Sequence, residues 1–526
     1  MVKRMKIDYI DINTKGIKAT NYQNLNEYYQ KKYFKFIDSE GKLAIAATED
    51  CSIEFGKEKI FRVKQEDFIE ILERDFAEEN SSWAINYLSN KSPSSSAKNV
   101  SYIKSIAGFS IIFTAFLFLF INLFNVLNNI AYLTQNLLKA VLFNRSLVQR
   151  EKSPLAKLSD DLPVYSVLIP LYREEFKVKA ILQAMDKMNY PKDKLDVKLI
   201  IENDDILTKR TIAVNNIPDY VQVIKVPFSL PRTKPKALNY SIAFLKGEYV
   251  TIYDAEDIPD PDQLLKAVHA FRSLPENYAC IQAKLNFYNQ NENFLTKFFS
   301  IEYSVWFEYL LRGLSLLDLP VTLGGTSNHF KVSKLAEALY WDPYNVTEDA
   351  DLGIRLYMKG YKVHLINSTT MEEAPNDVLT WIAQRARWIK GFIQTFFVFI
   401  KTKKDYKRFG FLKIASVYIF VGLSTYSFFC LPWLFLIFML EINHNIYYLW
   451  MINSLFSFSY MYAIAYLVIK NSKPPMSKLT IKDWITLIIW PAYFILHTIA
   501  CYRAFWETIK SPFKWNKTPH GIKKEV

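Results

Sequence analysis

Three short clusters in this 526-residue chain bring together residue types suited to chemistry. The first is Tyr253-Asp254-Ala255-Glu256-Asp257-Ile258-Pro259-Asp260-Pro261-Asp262, directly after a β-prone run. Carboxylates crowded at a strand end repel one another unless a cation lies between them. Hard oxygen donors suit Mg2+ or Mn2+, which also bind diphosphate. The same segment also fits an acidic, proline-rich surface loop. The second cluster is Val346-Thr347-Glu348-Asp349-Ala350-Asp351-Leu352, at the start of a helical pattern. There a threonine can cap the helix and the acids can complement its dipole, with no catalytic role needed. The third is Gln384-Arg385-Ala386-Arg387-Trp388. A cationic, aromatic helix suits a membrane interface; equally, Arg387 can neutralise pyrophosphate and Trp388 can stack on a sugar ring.

Such clusters need a scaffold to converge. Between residues 160 and 400, β-rich runs at 164–169, 197–201 and 249–253 alternate with helical patterns. That alternation predicts a parallel sheet with helices on both faces, with ligands beyond the carboxyl ends of the strands. On either side the chain turns apolar. Residues 106–124 approach the ~20 residues of a spanning helix, and 411–440, 447–469 and 483–502 repeat the pattern. The stretch 126–143, with Asn128, Asn129, Gln135 and Asn136, reads as the second arm of a hairpin or as an interfacial helix. Pro432 predicts a kinked helix or two half-length pieces. Basic residues on both sides of 483–502 (Lys470, Lys473, Lys478 and Lys482; Arg503, Lys510, Lys514 and Lys517) mark both flanks as cytoplasmic. A single crossing cannot satisfy both, so either Pro491 marks a re-entrant segment or one flank is misread.

The first 95 residues read as a small module. A hairpin spans 33–37 and 43–47, and a helical stripe follows at Phe68, Ile69, Ile71, Leu72 and Phe76. Ser92-Pro93-Ser94-Ser95-Ser96 marks a linker. The net charge of +13 could suit nucleic acid, but no zinc spacing or aromatic-basic repeat accompanies it. Lysines beside apolar segments, such as Lys401, Lys403, Lys404 and Lys407 with Arg408, favour anionic lipid instead. The four cysteines form no CxxC pair, which favours a reducing compartment. Residues 1–30 are polar and do not form a secretory signal.

Taken in order, Glu202-Asn203-Asp204-Asp205, Asp254-Ala255-Glu256, Thr347-Glu348-Asp349 and Gln384–Trp388 resemble the D, D-x-D, T/E-D and Q-x-x-R-W series of processive family-2 glycosyltransferases. That group includes cellulose, chitin and hyaluronan synthases, and the match covers residues 160–392. The fold implied is α/β: a GT-A-type, Rossmann-like mixed sheet with helices on both faces, plus transmembrane helices and a small α+β N-terminal domain. The N-terminal module resembles the corresponding domain of secretion ATPases over residues 30–80. The division implied is 1–95 for a regulatory or docking domain, 96–150 for a linker and membrane helix or hairpin, 151–405 for a cytoplasmic transferase domain, 406–505 for a transmembrane region and 506–526 for a tail.

The resemblance also implies roles. Pro170, Tyr172 and Glu174 lie on the first strand and turn that hold the nucleotide, and Glu202 and Asp204 contact its base, usually uracil. Lys236 and Asn239 line the nucleotide-sugar pocket with Gln384, Arg387 and Trp388. Asp254 binds diphosphate and metal, Mg2+ or Mn2+. The family's second metal carboxylate is Asp, where this chain has Glu256 followed by Asp257, so the second ligand is open between them. Glu348 and Asp349 form the catalytic pair, with Asp349 the general base and Arg387 steadying the departing diphosphate. Gly325, Thr326, Asn328 and His329, with Trp388, contact the acceptor. Trp515, Lys517, Thr518 and His520 resemble a gating loop over bound nucleotide; a basic tail on lipid headgroups is the plainer reading. The expected enzyme is a multi-pass protein of the inner (plasma) membrane. It transfers sugar from a UDP-sugar to a β-linked polysaccharide, with export and accessory export subunits. The alternatives are single addition to a lipid-linked acceptor, or an inactive transferase-like membrane scaffold.

Overall fold

The computed structural model describes residues 19–20, 31–37, 42–48, 51, 59–148, 161–402, 409–440, 444–471 and 479–515. Near the N-terminus, Ala19–Thr20 (β1), Tyr33–Ile37 (β2), Leu43–Ala47 (β3) and Lys59–Arg62 (β4) form a sheet in that order. β2 and β3 make the expected antiparallel hairpin. The helix Gln65–Asp75 buries Phe68, Ile71 and Leu72 in the same core, followed by Phe76. The next helix, Ala77–Lys91, ties the module to the central domain: Asn80 Nδ2 donates to Tyr240 O at 2.9 Å. The serine-rich stretch after it is not a free linker. Ser96 Oγ and the Ala97 N–H both donate to buried Asp342, at 3.2 and 2.6 Å.

The central sheet contains Tyr165–Leu171 (β5), Leu195–Glu202 (β6), Val221–Val226 (β7), Tyr249–Ile252 (β8), Ile258–Pro259 (β9), Tyr278–Phe287 (β10), Asn328–Lys331 (β11) and Lys362–Glu372 (β12). Their spatial order is β7-β6-β5-β8-β11-β10-β12-β9. Side-chain alternation along the strands feeds two cores. Val167, Ile169, Val197 and Leu199 pack with Ile181, Met185, Val268 and Phe271, while Leu168, Ile200 and Val250 join Leu238 and Phe244. The sheet is mixed rather than wholly parallel. β11 runs antiparallel to β8 and β10, and β9 runs antiparallel to β12. The carboxyl ends of β5, β6, β8, β10 and β12 therefore share one edge.

Among the described residues, four helices are long and apolar enough to cross a membrane: Tyr102–Leu119, Phe411–Leu436, Tyr447–Asn471 and Ile481–Lys510. The helix Ile121–Val148 folds back on the first after a break at Phe120, with Phe113 edge-on to Phe124. Its asparagines face protein: Asn128 accepts from Tyr426 at 2.6 Å, and Asn129 O accepts from Asn453 at 3.2 Å. Pro432 does not split its helix, which runs Ser424–Leu440 after a wide π-type turn at Tyr418–Leu423. In that turn a side chain at Gly422 would meet the Phe396 ring at 2.5 Å.

Pro491 likewise sits inside one continuous helix, Ile481–Lys510. This helix packs along Val378–Lys401, from Trp381 against Tyr493 (5.1 Å) to Lys390 Nζ donating to Lys514 O (2.7 Å). Just before the segment that leads into it, Asn471 Nδ2 reaches Tyr309 OH at 3.3 Å. Asn471, at the end of the preceding helix, and Lys514, just after this one, thus both touch the catalytic domain, and Pro491 makes no break in the helix between them.

Candidate active site

Beyond the shared strand edge lies a cavity of about 1410 Å³. β5 delivers Pro170, Tyr172 and Glu174 to it, β6 Glu202, β8 Asp254 and Glu256, and β12 Glu372. After β8 the chain crosses the ends of β11 and β10 to pair as β9 with β12, Ile258 opposite Met371. That crossing sets the acidic segment beside Glu372.

At one end of the cavity, Arg232 organises the turn after β5. It lies over the Tyr172 ring at 4.7 Å, donates to Tyr172 OH at 3.0 Å and pairs with Asp204. That pairing holds the Asp204 carboxyl below its usual range. Arg173 adopts φ +55°, and Asp205 pins this turn through the Arg173 N–H while capping the helix Ile206–Val214. Glu202 is pushed up by burial although Lys236 pairs with it at 2.9 Å.

The acids after β8 are mutually unfavourable. Glu256 is pushed up to about 7 by burial and by Asp254. Glu372 is raised by burial and by Asp257, Asp254 and Glu256. Lys234 Nζ pairs with Asp254 and donates to Gly325 O at 2.8 Å. Asp257 does not line the cavity. Its carboxylate accepts from the Asp254 N–H at 2.8 Å and from the Thr326 hydroxyl, bracing the turn from behind. Among the described residues, no three His, Cys, Asp or Glu side chains converge to enclose a metal ion. The pair Asp254 and Glu256, both facing the cavity, fits an ion of the Mg2+ class, which takes one or two carboxylates and completes its shell with phosphate and water. The mutual repulsion of these acids is the observation that favours such an ion.

Asp349 faces the same cavity from the first turn of the helix Glu348–Met358. Thr347 stands at the cap position but makes no side-chain cap bond, so capping does not account for the motif. A side chain at Gly325 would sit 3.2 Å from Asp349 Oδ2. Asp254, Lys234, Gly325 and Asp349 thus form a chain of neighbours. Burial raises the Asp349 carboxyl, against Lys234 and Arg387, and pushes Glu348 up to about 8 with help from Asp349.

The helix Val378–Lys401 closes the site with Gln384, Arg387 and Trp388 on the cavity wall. Arg387 lies over Trp515 at 5.6 Å, and its buried Nε has no hydrogen-bond partner among the described residues. A buried guanidinium in that state suits an incoming phosphate. Gln394 Nε2 holds Pro512 O at 2.9 Å, which docks the 511–515 segment here. Lys517, Thr518 and His520 lie outside the described residues.

Several expected positions are spent elsewhere. Lys236 is buried behind Glu202, and Lys234, two residues earlier, reaches the cavity. Asn239 Nδ2 donates to Ala84 O and Trp341 O, both at 2.9 Å, knitting the N-terminal helix to the central domain. His329 is wholly buried between Tyr165 OH (2.8 Å) and Gln263 (3.2 Å), and burial pushes it down to about 3. Asn328 Nδ2 holds Gly324 O at 2.6 Å and does not line the cavity. Thr326 reaches the cavity wall, but its hydroxyl is spent on Ile252 O at 2.9 Å and on Asp257.

Sequence reasoning missed Lys234, Arg232, Glu372 and Glu302. The basic run 232–236 and the strand-end position of Glu372 were the available signals. Glu302, on the helix Phe294–Ser304, accepts from Arg385 (2.7 Å) and Tyr493 (2.6 Å) and lies 3.4 Å from His497. No local pattern announces it.

Residues 249–470 match the family described as Glycosyl transferase family group 2. The "Probable glycosyltransferase YdaM" of Bacillus subtilis (strain 168) is 29% identical over 237 residues, 44% of this chain and 56% of that protein. "Glucomannan 4-beta-mannosyltransferase 2" of Arabidopsis thaliana is 25% identical over 244 residues, 44% of this chain and 45% of that protein. The chain thus spans about half the length of the curated relatives it matches. A solved structure titled "Mannosyltransferase PcManGT from Pyrobaculum calidifontis in complex with GDP-Man and Mn2+" is similar at TM-score 0.47 and 17% identity, covering 74% of this chain and 99% of that one.

Proposed function

From the match of residues 249–470 to Glycosyl transferase family group 2, we propose that the chain is a membrane-bound, inverting family-2 transferase that moves a sugar from a nucleoside-diphosphate donor onto an acceptor hydroxyl. The supporting observation is that Asp254 and Asp349, 95 positions apart, open onto one cavity and meet through Lys234 and Gly325.

Tyr172, Glu202, Asp204 and Arg232 hold the nucleotide, while Lys234 and Arg387 face its diphosphate. Asp254 and Glu256 would hold a divalent ion, whose charge would offset that of the leaving diphosphate. Asp349 accepts the acceptor hydroxyl's proton as that oxygen bonds to the anomeric carbon. The bond to the diphosphate oxygen breaks, its electron pair leaving with the nucleoside diphosphate. Displacement from the far side turns an α-linked donor into a β-linked product, and no covalent intermediate is required.

The cavity continues from Trp388 to residues of the apolar helices, among them Ser424, Ser457, Trp490 and Phe494. That continuity supports growth of a β-linked polysaccharide with export. Single addition to a lipid carrier is the second reading, favoured by the cation described below.

The test is nucleoside-diphosphate release by the purified protein, with and without chelator, from UDP-glucose, UDP-N-acetylglucosamine, UDP-galactose and GDP-mannose. The last is included because several relatives are named as mannosyltransferases. One donor should give chelator-sensitive release that Asp349→Asn abolishes. Silence with every donor, or unchanged turnover in Asp349→Asn, defeats the assignment. Product length separates processive from single addition.

A further inference from the structure

The membrane-side half of the cavity contains a positive charge that the transfer chemistry does not use. Lys139 lines the cavity from the helix Ile121–Val148. It has no hydrogen-bond or ion-pair partner among the described residues. Its neighbours along the helix are satisfied. One turn earlier, Gln135 donates to Ser424 at 3.1 Å, and Asn136 donates to Ser457. One turn later, Leu142 fills the space where a side chain at Gly313 would sit, and Phe143 stacks 4.7 Å from Tyr309. Lys139 therefore sits where the apolar helices meet the catalytic domain.

Two further donors share its situation. Tyr460 packs 6.2 Å from Phe143, lines the cavity, and has a buried hydroxyl with no partner among the described residues. Trp490 also lines it, 4% exposed, with its Nε1 buried and unpartnered. Buried donors without acceptors are costly, and a half-buried ammonium without counter-charge adds to that cost. A neutral glycan offers acceptors to the phenol and indole but leaves the ammonium uncompensated. A phosphate monoester or diester offers both acceptors and a counter-charge. The apolar lining beyond, including Leu431 and Phe458, suits an alkyl chain rather than a free anion.

We propose that this half of the cavity binds the phosphate of an amphiphile, with Lys139 and Tyr460 donating to its oxygens, so that the acceptor reaches Asp349 on a lipid phosphate. The inference rests on the reading of this cavity as the acceptor's path. It names the acceptor's class: a phosphate-bearing lipid, as primer or as carrier.

The test is binding of decyl phosphate to the full-length protein in neutral alkyl-maltoside micelles, with inorganic phosphate and decyl glucoside as comparison probes. Wild type should bind decyl phosphate at least tenfold more tightly than either. Lys139→Met should lose at least tenfold, Lys139→Arg should recover most of that, and Tyr460→Phe should lose a smaller factor. Equal binding of decyl glucoside, or wild-type binding by Lys139→Met, overturns the proposal, the latter marking Lys139 as a residue that reaches to bulk headgroups. Equal binding of inorganic phosphate overturns it in favour of a free-anion site. Binding is read without donor or turnover, so failure of the transferase reading leaves this result standing, and the reverse.

Discussion

Two acidic regions face the same cavity and are treated in opposite ways. Glu302 receives Arg385 and Tyr493, with His497 close by, and although burial works against its charge, Arg385 and His497 hold its carboxyl down to about 2. Glu256 and Glu372, half-buried on the cavity wall, and Asp257, buried behind them, push one another up. A satisfied buried acid fixes structure. A group of acids that repel one another is favourable ground for a cationic ligand. The two regions separate a carboxylate whose charge is already balanced by its neighbours from carboxylates whose charges are not.

The contrast can be tested from its reactive end. Asp349→Asn should cost about 10²–10⁴-fold in transfer, the usual worth of a general base, with donor affinity retained in an equilibrium titration. On the structural side, Glu302→Gln should destabilise the fold by roughly 3 kcal/mol, because it leaves Arg385 buried without its counter-charge; thermal melts of the purified protein measure this. The folded carboxyl lies below its ordinary 4.5, so its contribution is present above that value and fades as pH falls toward 2. The gap between wild type and Glu302→Gln should therefore narrow in acid.

Glu256→Gln should do the reverse of Glu302→Gln. It removes a repelled charge, so stability without divalent ion should hold or rise while the affinity for Mn2+ falls. Transfer itself should lose rate on the acid side at a higher pH than a free carboxylate's, because burial raises both Glu348 and Asp349; a pH–rate profile locates that limb. The smallest effect belongs to Gly325→Ala. The added carbon meets Asp349 Oδ2 at 3.2 Å, which should lower turnover a few-fold with stability nearly unchanged.

Much of this was legible in the residues. The strand runs, the acid clusters and the apolar segments are local patterns, and local patterns survive into the fold. The path of β9 to the far edge of the sheet is not local, so nothing in the sequence joined Glu372 to Asp254. Spacing also misled at 234–239. Lys236 and Asn239 carry the polar types a donor pocket needs, yet helix geometry turns them toward Glu202 and Trp341 and leaves Lys234 at the cavity. His329 shows the period-two rule of a strand at work: it lies on the buried face, and its polarity is met by Tyr165 and Gln263.

Gly391 lies against Thr347 so closely that a β-carbon there would come within 2.1 Å of the threonine hydroxyl. The stretch bearing Asp349 and the stretch bearing Arg387 are thus clamped face to face, with no room to slide. Whatever breathing admits a substrate falls to the pieces around this clamp, the glycine loop at 324–325 and the segment at 511–515 docked on the same helix, which are fastened by hydrogen bonds that can be exchanged.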